Sequence, residues 1–362
     1  MKHLVFTVTN DLTYDQRMDR ICSTLTENGF QCTLIGRERK NSIPLESKTF
    51  EQVRLSCWFD KGKLFYLEFN FRLLMFLLRN RYDIYCAIDL DSVLPIYFNA
   101  LVKRKKWVYD AHEFFTEMEE IVTRPFIRRI WVGIENFVMH RVKYAYTISN
   151  GYANLFRIRY GVNFKVIRNV PRFKPHNHAA ETLDRYIIYQ GALNVGRGLE
   201  ESIAAMKKIE GCTLKICGDG PIKPPLMKLV EELNLKDRIE FLGALKPEDL
   251  RQQTERAWIG LTLFSDKGLH HQHSLANRFF DYLHAGIPQI AMNYPEYASF
   301  NNEFGIAILI DQLNADSVAS ALNSLVYDSV HYNRLRESTS FAAASNCWEN
   351  ESKKLVQFYQ EL

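Results

Sequence analysis

No apolar run in the 362-residue chain reaches the roughly 18–20 residues that a membrane-spanning helix requires, which excludes an integral helical membrane protein. Its seven cysteines show no Cys-x-x-Cys pair and no Cys/His ligand spacing, so neither a structural zinc nor a disulfide framework is expected; reduced thiols in a cytoplasmic protein are. The excess of one sign of charge is also small. A net charge of +4 gives no basis for nucleic-acid binding. The expected first strand leads into Thr9-Asn10-Asp11-Leu12-Thr13, not Gly-x-Gly-x-x-Gly, which argues against a nicotinamide dehydrogenase. Residues 1–8 run straight into strand-like alternation, so no leader peptide is expected. There is no low-complexity tract and no internal repeat.

What is present is a soluble-protein composition, 47% hydrophobic and 24% charged, at a length that favours two domains. Strand-like and helix-like segments alternate. Strands are expected at 4–8, 32–35, 84–89, 107–110 and 144–148, with a helix over 17–28 stopped by Gly29. Residues 172–181 are polar and turn-prone, as a linker would be. A second series follows, with strands at 187–190, 213–217, 239–242, 259–263 and 289–292 and helices at 201–207, 225–233 and 315–327. This order predicts an α/β protein of two doubly wound parallel sheets facing a cleft. The expected division is residues 1–172, then 173–345, then a helix within 346–362 packing back on the hinge.

In open parallel sheets, ligands sit beyond the carboxyl ends of the strands. In the first half those ends carry Asn10 and Asp11, then Asp110-Ala111-His112-Glu113. In the second they carry Gly191, Arg197 between two glycines, Gly218, and Gly243. Glycine lets a backbone approach a ligand closely, and arginine offers phosphate a planar fork. The segment His273-Ser274-Leu275-Ala276-Asn277 opens a helix that Gly286 and Pro288 end. Amides at that helix start suit a phosphate, and Asp281, on the same face as Asn277, suits a sugar hydroxyl or ribose. Each residue also has a structural alternative: Asp11 and Asn10 as helix caps, His112 as a buried structural histidine, Arg197 or Asp281 as surface charges.

Val166-Ile-Arg-Asn-Val-Pro171, Tyr189-Gln-Gly191-Ala-Leu-Asn-Val-Gly-Arg197-Gly198, Leu214-Lys-Ile-Cys-Gly218-Asp-Gly220 and Ser274-Leu-Ala-Asn277-Arg-Phe-Phe-Asp281 follow one another in an order and spacing that resembles glycosyltransferase family 4. The resemblance implies a GT-B fold, a nucleotide-sugar donor and transfer with retention of anomeric configuration. It also implies that Arg197 holds the donor diphosphate, Asp281 the nucleotide ribose, and that His112 lies near the transferred sugar. Gly191, Gly218, Gly243 and the segment from His273 to Asn277 are expected on the donor side; Asn10, Asp11, His112 and Glu113 on the acceptor side. Two departures matter. His273 stands where the family often has a glutamate, and Ala192 where it has an arginine, leaving Arg197 and Arg278 to neutralise the diphosphate. No divalent metal or other cofactor is expected. The three histidines at 270, 271 and 273 and the Asp89-x-Asp91 pair are not read as metal sites.

The acceptor is expected to be a glycan or lipid-linked. Basic residues mixed with aromatics, at 65–79, 103–107 and 124–131, suit contact with anionic headgroups at the inner membrane face; the apolar helix over 65–78 is read first as a core helix. Two alternatives remain open from sequence: a nucleotide-sugar epimerase on the same scaffold, or a non-catalytic sugar-nucleotide-binding partner subunit.

Overall fold

The computed structural model describes residues 1–175, 185–267 and 269–362. The expected linker at 172–181 therefore lies mostly outside the described residues. Two compact units are present: Met1–Asn169 together with Glu351–Leu362, and Val170–Asn350.

The first unit is built on a seven-stranded sheet, β1 (His3–Thr7), β2 (Gln31–Glu38), β3 (Glu51–Ser56), β4 (Ile84–Ile88), β5 (Lys106–Ala111), β6 (Ala145–Thr147) and β7 (Lys165–Val166), in the order β3-β2-β1-β4-β5-β6-β7. Every pairing is parallel. Central strands such as Ile84-Tyr-Cys-Ala-Ile88 are buried throughout, which explains their unbroken apolar character. Strand β3, at the edge, is half-exposed and carries charges, and its only sequence signal is the short alternation Gln52-Val-Arg-Leu-Ser56.

The second unit repeats the wiring with six strands: β8 (Tyr186–Gln190), β9 (Thr213–Cys217), β10 (Ile239–Gly243), β11 (Ile259–Thr262), β12 (Gln289–Met292) and β13 (Ala307–Ile310), ordered β10-β9-β8-β11-β12-β13. In both sheets the strand order reverses beside the first strand, between β1 and β4 and between β8 and β11. These reversals are the switch points where doubly wound sheets bind ligands.

The helix Trp348–Gln360 spans the end of the second unit and the returning part of the first. Within the first unit Tyr359 is buried, its ring edge-on to Phe6 at 5.8 Å and its hydroxyl 3.3 Å from that of Tyr146. Within the second, Trp348 N donates to the carbonyl of Pro171 at 2.8 Å. No helix among the described residues is long and apolar enough to cross a membrane.

Candidate active site

At the switch point of the second sheet, the loop after β8 begins with Gly191 at φ +134°. Next to it lies Arg278, on the first turn of the helix Asn277–Ala285. Its Nη1 donates to the carbonyl of Gln190 at 3.1 Å, and its guanidinium is clasped between the rings of Tyr189 and Phe264, 4.5 Å from each centroid. Arg278 is buried, and among the described residues its Nε has no hydrogen-bond partner and no carboxylate pairs with it. A buried cation left this way is costly unless an anion arrives. Arg197 reaches the same Phe264 ring, with its guanidinium carbon 5.1 Å from the centroid. Two guanidiniums thus share one aromatic plate beyond the ends of β8 and β11.

The third side of the plate is histidine. His271 stacks on Phe264 with centroids 4.1 Å apart, and His270 meets His271 edge-on at 4.6 Å. Burial first, then the charge of Arg197, pushes His270 down to about 4. His271 is driven lower still, by burial, then His270 and the two arginines. Both rings are therefore neutral at pH 7, which leaves the positive charge to the arginines. His273 is half-buried, and burial lowers its pKa too.

The residues expected on the donor side divide by what their atoms already do. Gly218 lies between two neighbours: its N–H donates to the carbonyl of Gly243 at 2.7 Å, and Gly191 N donates to that of Cys217 at 3.0 Å. Gly243 ends β10 at φ +69°. Ser274 is buried and its hydroxyl donates to the carbonyl of His270 at 2.9 Å. Leu275 packs into the core. Ala276 N donates to the Tyr297 hydroxyl at 3.1 Å, which removes one of the helix-start amides the sequence had offered to a phosphate. Asn277 is exposed at the first helical position. Asp281 sits one turn deeper, where the Gln190 side-chain amide donates to Oδ2 at 2.8 Å. Gln190 is itself held, its Oε1 accepting from Thr254 at 2.7 Å and its backbone N–H donating to the Tyr282 hydroxyl at 3.1 Å.

Beside the switch point of the first sheet, His112 follows β5. Its Nε2 lies 2.8 Å from Arg17 Nε and 2.8 Å from Asp110 Oδ2. Arginine only donates and a carboxylate only accepts, so Nε2 serves one at a time: bare, it accepts from Arg17; protonated, it donates to Asp110. Arg17 also reaches Asp110 Oδ1 at 3.3 Å and the carbonyl of Ile167 at 3.4 Å. Asp110 is fully buried. Burial alone would raise its pKa, yet the charges of His112 and Arg17 and its hydrogen bonds hold it below the ordinary value.

Asp89, at the end of β4, supports this loop. It has φ +56° and ψ 179°, a conformation unusual for a side chain with a Cβ. Its Oδ1 accepts the N–H of His112 at 2.8 Å and of Glu113 at 3.1 Å, which links the strained turn to the segment that carries the histidine. Burial, then repulsion from Glu113, Asp91 and Asp110, raises its pKa well above normal. Asp91, raised to about 6 by burial, accepts from the Thr9 hydroxyl at 2.5 Å.

Asp11 takes the capping alternative. Its carboxylate accepts from Thr13 N at 3.1 Å, Thr13 Oγ1 at 2.8 Å, Arg54 Nη2 at 2.6 Å and the Ser42 hydroxyl. Asn10 is exposed, and its carbonyl accepts from Arg37 N at 3.0 Å. Asn10, Asp11, His112 and Glu113 all follow strand ends of the first sheet, but Asp11 is committed to its own loop. Arg17 and Asp89 had no signal in the sequence beyond a helix start and an Asp-x-Asp spacing.

Residues 172–340 match the family model of the glycosyl transferases group 1, and residues 16–173 match that of Glycosyltransferase Family 4. No curated protein sequence matches significantly. Among solved structures, a sucrose-phosphate synthase from Thermosynechococcus elongatus superposes with a TM-score of 0.82 at 15% identity, over 100% of this chain and 99% of that one. HepE of Anabaena, in complex with UDP and glucose, gives 0.77 at 13% identity with both chains covered completely. A Listeria monocytogenes structure assigned as a UDP-N-acetylglucosamine 2-epimerase is more distant, with a TM-score of 0.61 at 12% identity over 94% of each chain.

Proposed function

From a chain that belongs to the group 1, family 4 glycosyltransferases and has their GT-B fold, we infer an enzyme that takes a sugar from a nucleoside-diphosphate donor and passes it to a glycan or lipid-linked acceptor. The observation that carries this reading is Arg278, buried against Tyr189 and Phe264 with no carboxylate partner among the described residues, and Arg197 on the same ring. Two cations at a sheet switch point suit a diphosphate. HepE, similar in fold, was solved with UDP and glucose.

Catalysis of this kind needs positioning and stabilisation of the departing diphosphate more than acid–base machinery. Arg197 and Arg278 supply that positive charge from the protein, so the reaction is proposed to need no divalent metal. Asp281, steadied by Gln190, is assigned to the nucleotide ribose, and His112 to the transferred sugar. As the bond from the anomeric carbon to the diphosphate breaks, the acceptor hydroxyl forms its bond on the same face, with retention, and its proton passes to the departing diphosphate oxygen. Arg278 also answers the departure at Ala192: a Cβ on Gly191 would lie 3.4 Å from its Nη1, so a guanidinium from a different element stands beside the glycine. In this reading the enzyme works in the cytoplasm, at the inner face of the membrane.

The test is a thermal-shift panel of UDP, GDP, ADP, dTDP and CMP on the wild type and Arg197→Ala, with and without EDTA. One nucleotide should stabilise the wild type, by roughly 2.7 kcal/mol at about 100 times its dissociation constant, and the substitution should weaken that effect. No stabilisation by any of them would overturn the donor-site assignment. Stabilisation that disappears with EDTA would overturn metal independence.

A further inference from the structure

The helix Gly62–Arg79 of the first unit is apolar on two opposite faces. Phe65, Phe69, Leu73 and Leu77, four residues apart, are buried against the sheet. Leu64, Leu67, Phe71 and Leu78 line the other side and face water, with Leu67 at 71% and Phe71 at 62% exposure. Trp58, in the loop before this helix, is 85% exposed.

That loop is held in place. Glu68 accepts the backbone N–H of Trp58 at 2.9 Å and of Phe59 at 3.0 Å, and takes the Arg72 guanidinium at 2.7 Å. The guanidinium of Arg72 lies 4.8 Å from the centroid of the Trp58 ring. On the other flank, Lys63 Nζ lies 5.1 Å from the ring of Phe126, itself 67% exposed at the start of the helix Pro125–Met139. Ile130, one turn on, is exposed too. The patch is thus continuous across the loop and two helices, and cations sit around it. Over residues 58–79 and 124–130 the basic residues are Lys61, Lys63, Arg72, Arg79, Arg124, Arg128 and Arg129, against the acids Asp60 and Glu68. Glu68 is already spent on the loop.

We infer that Trp58, Leu64, Leu67, Phe71, Phe126 and Ile130 form a docking surface for an anionic lipid bilayer, with Lys61, Lys63, Arg124 and Arg129 meeting its headgroups. An exposed aromatic–aliphatic face ringed by lysine and arginine is the chemistry of an interfacial helix. A partner protein offers no comparable general reason for cations around an apolar face, whereas an anionic leaflet attracts each of them. This surface takes its purpose from the proposed lipid-linked acceptor.

The experiment is co-sedimentation of the full chain with phosphatidylcholine vesicles, with and without phosphatidylglycerol. Binding is expected to the anionic vesicles and to fall with salt. Lys61→Gln with Lys63→Gln should lower the partition coefficient by roughly 25-fold, about five-fold for each charge lost from the surface. Trp58→Ser with Phe71→Ser should lower it at least ten-fold; both residues face water, so the fold is kept, as an unchanged thermal midpoint would verify. Nucleotide-induced stabilisation, read on the same variants, should stay at the wild-type value. No partition of wild type into anionic vesicles, or undiminished partition of the folded variants, overturns the surface. So does a solution dimer that these substitutions dissociate, because a second copy is then the occupant. Vesicle binding with no nucleotide response would leave the surface standing and sink the donor reading instead.

Discussion

The carbonyl oxygen of Gly191 occupies the space where a side chain on Gly218 would begin: a Cβ there would lie 1.9 Å from it. Gly218 also has φ +146°, a region closed to other residues. Gly220 repeats the pattern, its Cβ position being 2.3 Å from the carbonyl of Leu193. The glycines beyond β8 and β9 therefore let two strand-end loops lie against each other, and this packing sets the backbone beside Arg278. Gly218→Ala forces the loops apart. It is expected to destabilise the second unit by about 2–4 kcal/mol, a sum of backbone strain and overpacking, seen as a drop of several degrees in the thermal midpoint. It should also weaken nucleotide binding, although no atom of Gly218 need touch the ligand. A wild-type midpoint would show that the loops yield without cost.

His270 and His271 give the protein an acid-sensitive element. For His270 the folded pKa is pushed from 6.5 to about 4, so between those values the unfolded chain binds the proton and the folded one does not. The stability this neutrality permits is complete above pH 6.5 and is lost as pH falls towards 4. His270 is half-buried, so the full shift overstates the effect, and a loss of roughly 1–3 kcal/mol is expected across that window. Asp91, raised to about 6, works in the opposite direction, gaining stability as pH falls from 6 towards 3.8. The comparison must therefore be between proteins. Urea unfolding of wild type and His270→Asn at pH 7 and pH 5 should show the variant losing less stability on acidification. Parallel losses would mean that His270 titrates normally.

Much of the scaffold could be read from sequence because its signals are local. Buried central strands are apolar runs, as Ile84–Ile88 is, and the run of Gln289–Met292 ends at the polar Asn293. Gly286 caps its helix at φ +73° because nothing but glycine enters that region freely. Strand β3 escaped, since an edge strand with Glu51, Gln52 and Arg54 has no apolar run to notice. The site was legible in part. Arg197 announces itself by its glycines, and Arg278 by its place in a helix opening. What made Arg278 informative, its burial between Tyr189 and Phe264, joins segments about 90 residues apart and leaves no trace in either. The same holds for Gly260, which is a glycine because the Tyr282 ring would lie 2.4 Å from its Cβ. Tyr282 needs that room to send its hydroxyl to the carbonyl of Ile188 at 3.2 Å. Asp11 shows the opposite limit: the residue was visible, but only the fold reveals that Arg54 and Ser42 claim its carboxylate.

Arg17 and Asp110 meet across 93 residues of sequence, and the pair should behave as a unit with His112. Both are buried, so deleting one leaves the other as an uncompensated charge, a loss expected to cost about 3–5 kcal/mol. Arg17→Met strands Asp110 near the acids Asp89 and Asp91; Asp110→Asn strands Arg17. Removing both removes the problem, so the double variant should be more stable than the sum of the single losses predicts, with a coupling of roughly 1–3 kcal/mol in urea unfolding. Function separates positioning from bulk stability. Arg17→Lys keeps the charge but loses the fork that bridges Asp110, His112 and the Ile167 carbonyl, so the imidazole loses its orientation. Its kcat should fall by ten-fold or more while nucleotide affinity, measured as thermal stabilisation, stays at the wild-type value, because the donor residues lie in the other unit. Equal losses in kcat and nucleotide affinity would assign Arg17 a general structural role, and an unchanged kcat would remove it from the site altogether.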